Sequence, residues 1–78
     1  MDLNEFVSNF AELFDETDAS EIKPDTVFKD LDEWSSMIAL SLIAMIDAEY
    51  DVQVKGAEIR DSATVEDLFK KVAASKGQ

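Results

Sequence analysis

Residues 34–46 constrain this chain most, because these 13 consecutive positions carry no charge in a sequence that is 32% charged. The segment is too short to cross a bilayer, since a transmembrane helix needs about 20 apolar residues. Its apolar centre predicts a helix that opens at Ser35 or Ser36. A helix without a polar face is either covered on all sides or offers an apolar surface. Because 78 residues leave little material to surround one helix, we expect an exposed apolar strip.

Helical spacing predicts which side chains of this segment face inward. The expected inward set is Leu40, Leu42, Ile43 and Ile46. The expected outer set is Ile38, Ser41, Met45 and Ala48. On this interpretation the outer set forms the apolar strip.

The absence of cysteine and histidine excludes zinc fingers, thiol nucleophiles and Ser-His catalytic arrangements. A net charge of -11 repels phosphate backbones and anionic lipid, so we expect neither nucleic-acid nor membrane binding. The clustered acids do not have the spacing of a twelve-residue calcium loop, and we expect no metal site. The N-terminus has no basic and apolar leader pattern, which indicates a cytoplasmic protein. The polar C-terminus favours a freestanding one.

The remaining patterns predict an all-α fold in a single domain of residues 1–78, a small four-helix bundle with three longer helices and one short one. Apolar residues at three-and-four spacing predict helix one over residues 3–14. Residues 15–33 form a long loop with Val27, Phe28 and Leu31 as anchors, and residues 56–61 form the short helix. A capping box between Thr64 and Asp67 opens the last helix.

Ser35 and Ser36 precede the uncharged helix, where a serine is commonly an N-cap. The free amides and the positive end of the helix dipole would also stabilise a phosphate ester there. The residues alone therefore allow a cap, a modification site, or one of each.

The order of these elements resembles that of the acyl carrier proteins over nearly the whole chain. Three segments carry the resemblance: Pro-Asp-Thr-Val-Phe-Lys-Asp-Leu-Asp-Glu-Trp-Ser-Ser-Met, Asp-Ala-Glu-Tyr-Asp-Val and Ala-Thr-Val-Glu-Asp-Leu. In that family a serine followed by Leu or Met opens helix two and bears 4'-phosphopantetheine, supplied covalently by coenzyme A. The resemblance implies attachment at Ser36, which precedes Met37.

The function that this resemblance implies is a carrier that holds acyl groups as thioesters and delivers them to enzymes of fatty acid or related acyl-chain synthesis. Such a carrier is a phosphoprotein of lipid metabolism and is itself no enzyme. The implied partners are a phosphopantetheinyl transferase and synthases or ligases with basic or apolar docking patches, and the carrier is expected to be a monomer.

The resemblance also assigns roles to other side chains. Partner contacts are expected from Met37, Ile38, Ser41, Met45, Asp47 and Glu49. A cleft that shelters the cargo is expected from Leu42, Ile46, Ile59 and Val65. Each apolar residue among them could equally belong to the core, since a small bundle needs most of its large side chains for packing.

Two departures from the family pattern stand near Ser36. Ser35 occupies the place of an aspartate that usually precedes the modified serine, and the outer face of helix two lacks the usual acids. The sequence therefore leaves two alternatives: a peptidyl or aminoacyl carrier of another assembly line, and an unmodified acidic adaptor that docks its uncharged helix in a groove and uses Ser36 only as a cap.

Overall fold

The computed structural model describes residues 2–76 as helices joined by turns, with no strand among them. The α-helices are α1 (Leu3–Ala11), α2 (Ser36–Tyr50), α3 (Gly56–Arg60) and α4 (Val65–Ser75). Two 3-10 turns, Ala19–Glu21 and Phe28–Asp30, lie in the long connection between α1 and α2. This confirms the predicted all-helical fold with three longer helices and one short helix. No helix within this described part is long and apolar enough to span a bilayer.

The first helix begins as its sequence predicts but ends earlier. The Asp2 side chain accepts a hydrogen bond from the Asn4 N–H at 3.1 Å and caps the first turn. The regular helix ends at Ala11, because the Phe14 N–H bonds to the Ala11 carbonyl in a tighter turn. Phe14 is only 6% exposed. It is apolar because it is buried in the core, although the regular helix does not reach it.

Aromatic rings fill the interior between the long connection and the helices. Phe6, Phe10 and Phe28 are completely buried. The Phe28 ring meets Phe10 edge-on at 5.4 Å and Trp34 edge-on at 5.0 Å, measured between ring centroids. Phe28 thus ties the turn before α2 to α1, which fixes where α2 begins.

Helix α2 is rotated relative to the expected phase. Leu42 and Ile46 are completely buried, as predicted, but Leu40 is 67% exposed, so its predicted core position is wrong. The predicted outer residues Ile38 and Met45 pack against the core and are half-buried. An apolar residue occurs on every face of this helix, and the periodicity therefore fixes its existence but not its rotation.

Lysines from neighbouring elements hold the ends of α2 and α3. Lys76 Nζ donates to the Tyr50 carbonyl at 2.8 Å, at the C-terminal end of α2. Lys71 Nζ donates to the Glu58 carbonyl at 3.1 Å, and Lys29 Nζ donates to the Arg60 carbonyl. Positive groups on helix C-terminal carbonyls satisfy unpaired acceptors and oppose the helix dipole. The five-residue helix α3 is therefore held from two sides.

The predicted short helix and the predicted capping box of the last helix are both present. Val52 and Val54 are buried anchors in irregular chain. Thr64 Oγ1 accepts from the Asp67 N–H at 3.1 Å, while an Asp67 carboxylate oxygen accepts from the Thr64 N–H at 3.2 Å. This reciprocal pair confirms the capping box.

Candidate functional site

The two serines at the start of α2 have different roles. Ser35 is the N-cap, and its Oγ accepts a hydrogen bond from the Ile38 N–H at 3.3 Å. Ser36 is the first residue of the helix, and its side chain is exposed. Because Ser35 already caps the helix, the Ser36 hydroxyl is not needed for that purpose.

Glu33 fixes the chain just before these serines by binding a loop that is far away in sequence. Its carboxylate accepts from the backbone N–H groups of Asp15 at 2.7 Å, Glu16 at 3.0 Å and Thr17 at 2.9 Å. It also accepts from the Thr17 hydroxyl at 2.9 Å. Four donors on one carboxylate hold residues 15–17, which follow α1, against the entry to α2. We call this arrangement the Glu33 clamp.

The clamp also changes the acidity of Glu33. Partial desolvation by the loop acts to raise the pKa of the Glu33 carboxyl. The hydrogen bonds from Asp15, Glu16 and Thr17 together outweigh it, and the pKa lies below its ordinary value. The clamp is therefore made by the ionised carboxylate.

An open groove of 410 Å³ begins at the two serines and runs between α2 and α3. Trp34, the residue after Glu33, forms part of its wall. The complete lining is Lys29, Trp34, Ser35, Ser36, Ala39, Leu40, Ile43, Gly56, Ile59 and Arg60. Most of this wall is apolar, and its charged members are both bases.

A second depression, of 490 Å³, is lined in part by the clamp residues themselves and is acidic. Its lining is Glu16, Thr17, Glu21, Asp30, Leu31, Asp32 and Glu33. Within residues 2–76 no group of acids is arranged to hold a metal ion. Both carboxylate oxygens of Glu33 already accept hydrogen bonds from the loop.

A comparison with protein families decides the class of this site. The family described as the phosphopantetheine attachment site matches residues 4–72. The chain belongs to this family. Domains of the family are sites of covalent 4'-phosphopantetheine attachment, and they are carriers that interact with transferases and synthases. No curated protein and no solved structure matches the chain.

The described residues suit such a group. Attachment requires a hydroxyl that an enzyme can reach and space beside it for a long flexible arm. Ser36 offers the exposed hydroxyl, and the groove that starts at this residue offers an apolar wall. The free amides in the first turn of α2 favour an anionic ester at that point.

The residues predicted to contact partners separate into two groups in this carrier domain. Met37 is 76% exposed, and Ser41, Asp47 and Glu49 are exposed as well. Ile38 and Met45 are half-buried against the core. Leu40 and Ala44, which the sequence interpretation omitted from this surface, are exposed instead. We call the exposed set Met37, Leu40, Ser41, Ala44 and Ala48 the α2 strip.

The residues predicted to line a cargo cleft lie mostly inside the carrier domain. Leu42, Ile46 and Val65 are completely buried in the core and do not line the groove. Ile59 is 3% exposed and contributes its side chain to the groove wall. The structure places Ala39, Leu40 and Ile43 beside it, and helical spacing on a helix that is apolar all round gave no signal to select them.

Proposed function

We propose that this chain is an acyl carrier protein, which tethers acyl intermediates as thioesters on a 4'-phosphopantetheine arm at Ser36 and delivers them to enzymes of fatty acid or related acyl-chain synthesis. One observation carries the choice of residue. Both serines are exposed beside the groove, but Ser35 Oγ is engaged as the cap of α2, and this leaves the Ser36 hydroxyl on the first turn for attachment. The family match supports the class of group that is attached.

Loading of Ser36 is a phosphoryl transfer in which coenzyme A is the donor. A bond forms between Ser36 Oγ and the phosphorus on the pantetheine side of the coenzyme A diphosphate. The bond to the second phosphate breaks, adenosine 3',5'-bisphosphate leaves, and a base of the transferase takes the hydroxyl proton. When attached, the arm supplies the thiol that the chain itself lacks. The chain contributes a hydroxyl, a helix N-terminus and a docking surface, and it catalyses nothing.

The α2 strip is the proposed docking surface for the transferase and for acyl-chain synthases or ligases. Its exposed side chains carry no charge over residues 36–46, so contact there is mainly apolar. Asp47 and Glu49 lie exposed toward the far end of the helix and meet basic groups on the enzymes. Ile38 and Met45 support this surface from below and contact partners with their exposed edges.

The groove is the proposed resting place of a cargo chain, with Ile59 in its wall. Leu42, Ile46 and Val65 reach a cargo chain only if α2 and α3 separate, because the three side chains are completely buried. A short acyl group is accommodated by the groove alone, and a longer one requires that opening.

We further propose that residues 1–78 act as one carrier domain, monomeric and cytoplasmic. The net charge of -11 supports the monomer, because like charges oppose association between copies.

The decisive test is loading in vitro followed by intact-mass measurement. Wild type, Ser36→Ala and Ser35→Ala are incubated with coenzyme A and a phosphopantetheinyl transferase of broad specificity. We expect one added arm on wild type and on Ser35→Ala, and none on Ser36→Ala. Ser35→Ala loses the cap and about 1 kcal/mol of stability, so circular dichroism must first show that it is folded.

A further variant, Ser35→Asp, restores the residue that the family usually has before the modified serine. Aspartate caps helices as well as serine does, so α2 keeps its start. We expect faster loading than in wild type. A wild type that stays unmodified with several transferases would reject the carrier proposal and favour the unmodified adaptor.

A further inference from the structure

The groove beside Ser36 has the opposite charge to the rest of the chain. The chain holds 18 acids and 7 bases, yet the groove lining holds Lys29 and Arg60 and no acid. The acids next to these bases in sequence, Asp30 and Asp61, do not line the groove. An occupant of the groove therefore meets two bases and no acid.

The two bases lie on one rim of the groove. Lys29 is carried by the turn Phe28–Asp30, and Arg60 ends α3. Lys29 Nζ donates to the Arg60 carbonyl, which joins the two elements and brings the ammonium group to the end of α3. An ammonium group has three donors, so two remain after this bond.

Gly56 locates the arginine head group. A Cβ placed on Gly56 would lie 3.7 Å from Arg60 Nη1, so the guanidinium folds back along α3 over this glycine. Gly56 itself lines the groove. The guanidinium therefore lies along the groove wall, where its fork of donors suits phosphate or carboxylate oxygens.

The apolar part of the groove wall strengthens the attraction of these two bases for an anion. Trp34, Ile43 and Ile59 form apolar wall next to the bases, and a less polar environment increases electrostatic attraction relative to water. An occupant that fits has an apolar stem and an anionic group.

We propose that Lys29 and Arg60 form an anion subsite of the groove, which holds an anionic oxygen group tethered through Ser36. This inference rests on the proposed attachment at Ser36. The anionic group is either the phosphodiester of the arm or a terminal carboxylate of the cargo, and both sources share the chemistry that these bases recognise. The subsite restrains the arm along α3, while the members of the α2 strip that do not line the groove, Met37, Ser41, Ala44 and Ala48, remain free for a partner.

The experiment uses the fact that Arg60 is the single arginine of the chain, so its Nε–H gives one unambiguous NMR resonance. The protein is compared unloaded, loaded from coenzyme A, loaded from butyryl-coenzyme A and loaded from succinyl-coenzyme A. The last two cargoes have equal length and differ in a terminal carboxylate. Intact mass is measured first: absence of loading rejects the attachment proposal and not the subsite.

With loaded protein, we expect the Arg60 resonance to move. Movement in all three loaded forms assigns the subsite to the phosphodiester, and movement with the succinyl form alone assigns it to cargo carboxylates. The phosphorus resonance of the loaded form should differ between wild type and the double variant Lys29→Gln/Arg60→Gln when the phosphodiester is bound. The control double variant Lys55→Gln/Lys70→Gln makes the same charge change with bases that do not line the groove.

Folding is checked by circular dichroism, and Arg60→Lys tests the charge with a smaller change in shape. An Arg60 resonance that is the same in the unloaded, holo, butyryl and succinyl forms would overturn the subsite. Equal phosphorus shifts in wild type and the groove double variant, together with no response to succinyl loading, would do so as well.

Discussion

The two sides of Ser36 are held by hydrogen bonds of opposite kinds. On the loop side, the Glu33 carboxylate accepts from the backbone N–H groups of Asp15, Glu16 and Thr17. On the groove side, the Lys29 ammonium group donates to a backbone carbonyl at the end of α3. The depression on the loop side is lined by acids, and the groove that includes the serine holds two bases.

This difference shows how little a net charge of -11 says about the charges around the start of α2. The depression on the loop side is lined by acids, whereas the charged residues of the groove are Lys29 and Arg60. Under the proposed attachment at Ser36, a basic partner would meet the loop side and an anionic arm would meet the groove.

Loss of the Phe28 ring should destabilise both the loop side and the groove side, and this is the largest effect that we expect. Its buried ring supports Trp34, and its turn carries Lys29. Phe28→Ala should reduce the free energy of unfolding by about 3–5 kcal/mol, as for other buried aromatic deletions. Urea denaturation measures the loss. The neighbouring Val27→Ala is the control. Val27 is 43% exposed, so its predicted role as an anchor is wrong, and a change within about 0.5 kcal/mol is expected.

Removing the clamp carboxylate should weaken the loop side alone. In Glu33→Gln the four donors from residues 15–17 lose a charged acceptor, so the melting temperature should fall. Asp32→Asn removes the same charge from the adjacent, exposed residue and should leave the melting temperature nearly unchanged. Equal melting temperatures for the two variants would mean that the clamp contributes nothing beyond charge.

The loop side should also respond to acid. The folded protein holds the pKa of Glu33 below its ordinary value of 4.5, so the stabilisation from this group is complete above that pH. It is lost as the pH falls through the folded pKa. The difference in melting temperature between wild type and Glu33→Gln should therefore be constant near neutral pH and shrink below about pH 4.5. A difference that persists in strong acid would contradict the charged clamp.

A substitution on the groove side should lower the free energy of unfolding least. Lys29→Met removes one hydrogen bond to the Arg60 carbonyl and keeps most of the apolar stem, so a loss of about 0.5–1.5 kcal/mol is expected. Lys23→Met removes the same charge from an exposed residue outside the groove and serves as the control. Equal unfolding free energies for the two variants would show that this bond does not hold α3 in place.

Local patterns predicted most of the fold. The capping box at Thr64 involves residues within a few positions of each other, and short-range rules describe such contacts well. The start of α2 was predicted to within one residue because serine caps helices. The choice between Ser35 and Ser36 as the cap needed backbone geometry, which adjacent identical residues do not reveal.

Long-range contacts explain what the sequence could not predict. The Glu33 clamp joins residues 16 to 18 positions apart, and nothing in the local pattern distinguishes Glu33 from the other acids around it. The exposure of Leu40 has a related cause. A helix that is apolar on every face has no preferred rotation, so only its packing against the core selects the inward residues.

Trp34 follows Glu33 of the clamp and lines the groove, and it gives the molecule an intrinsic fluorescent probe. It is the single tryptophan of the chain, it stacks edge-on against Phe28 at 5.0 Å, and it forms part of the groove wall next to Ser36. A group that enters the groove displaces water from its indole ring. Changes in its fluorescence therefore report occupancy of the groove in real time, in unlabelled protein and in mixtures with enzymes whose own tryptophans have been replaced.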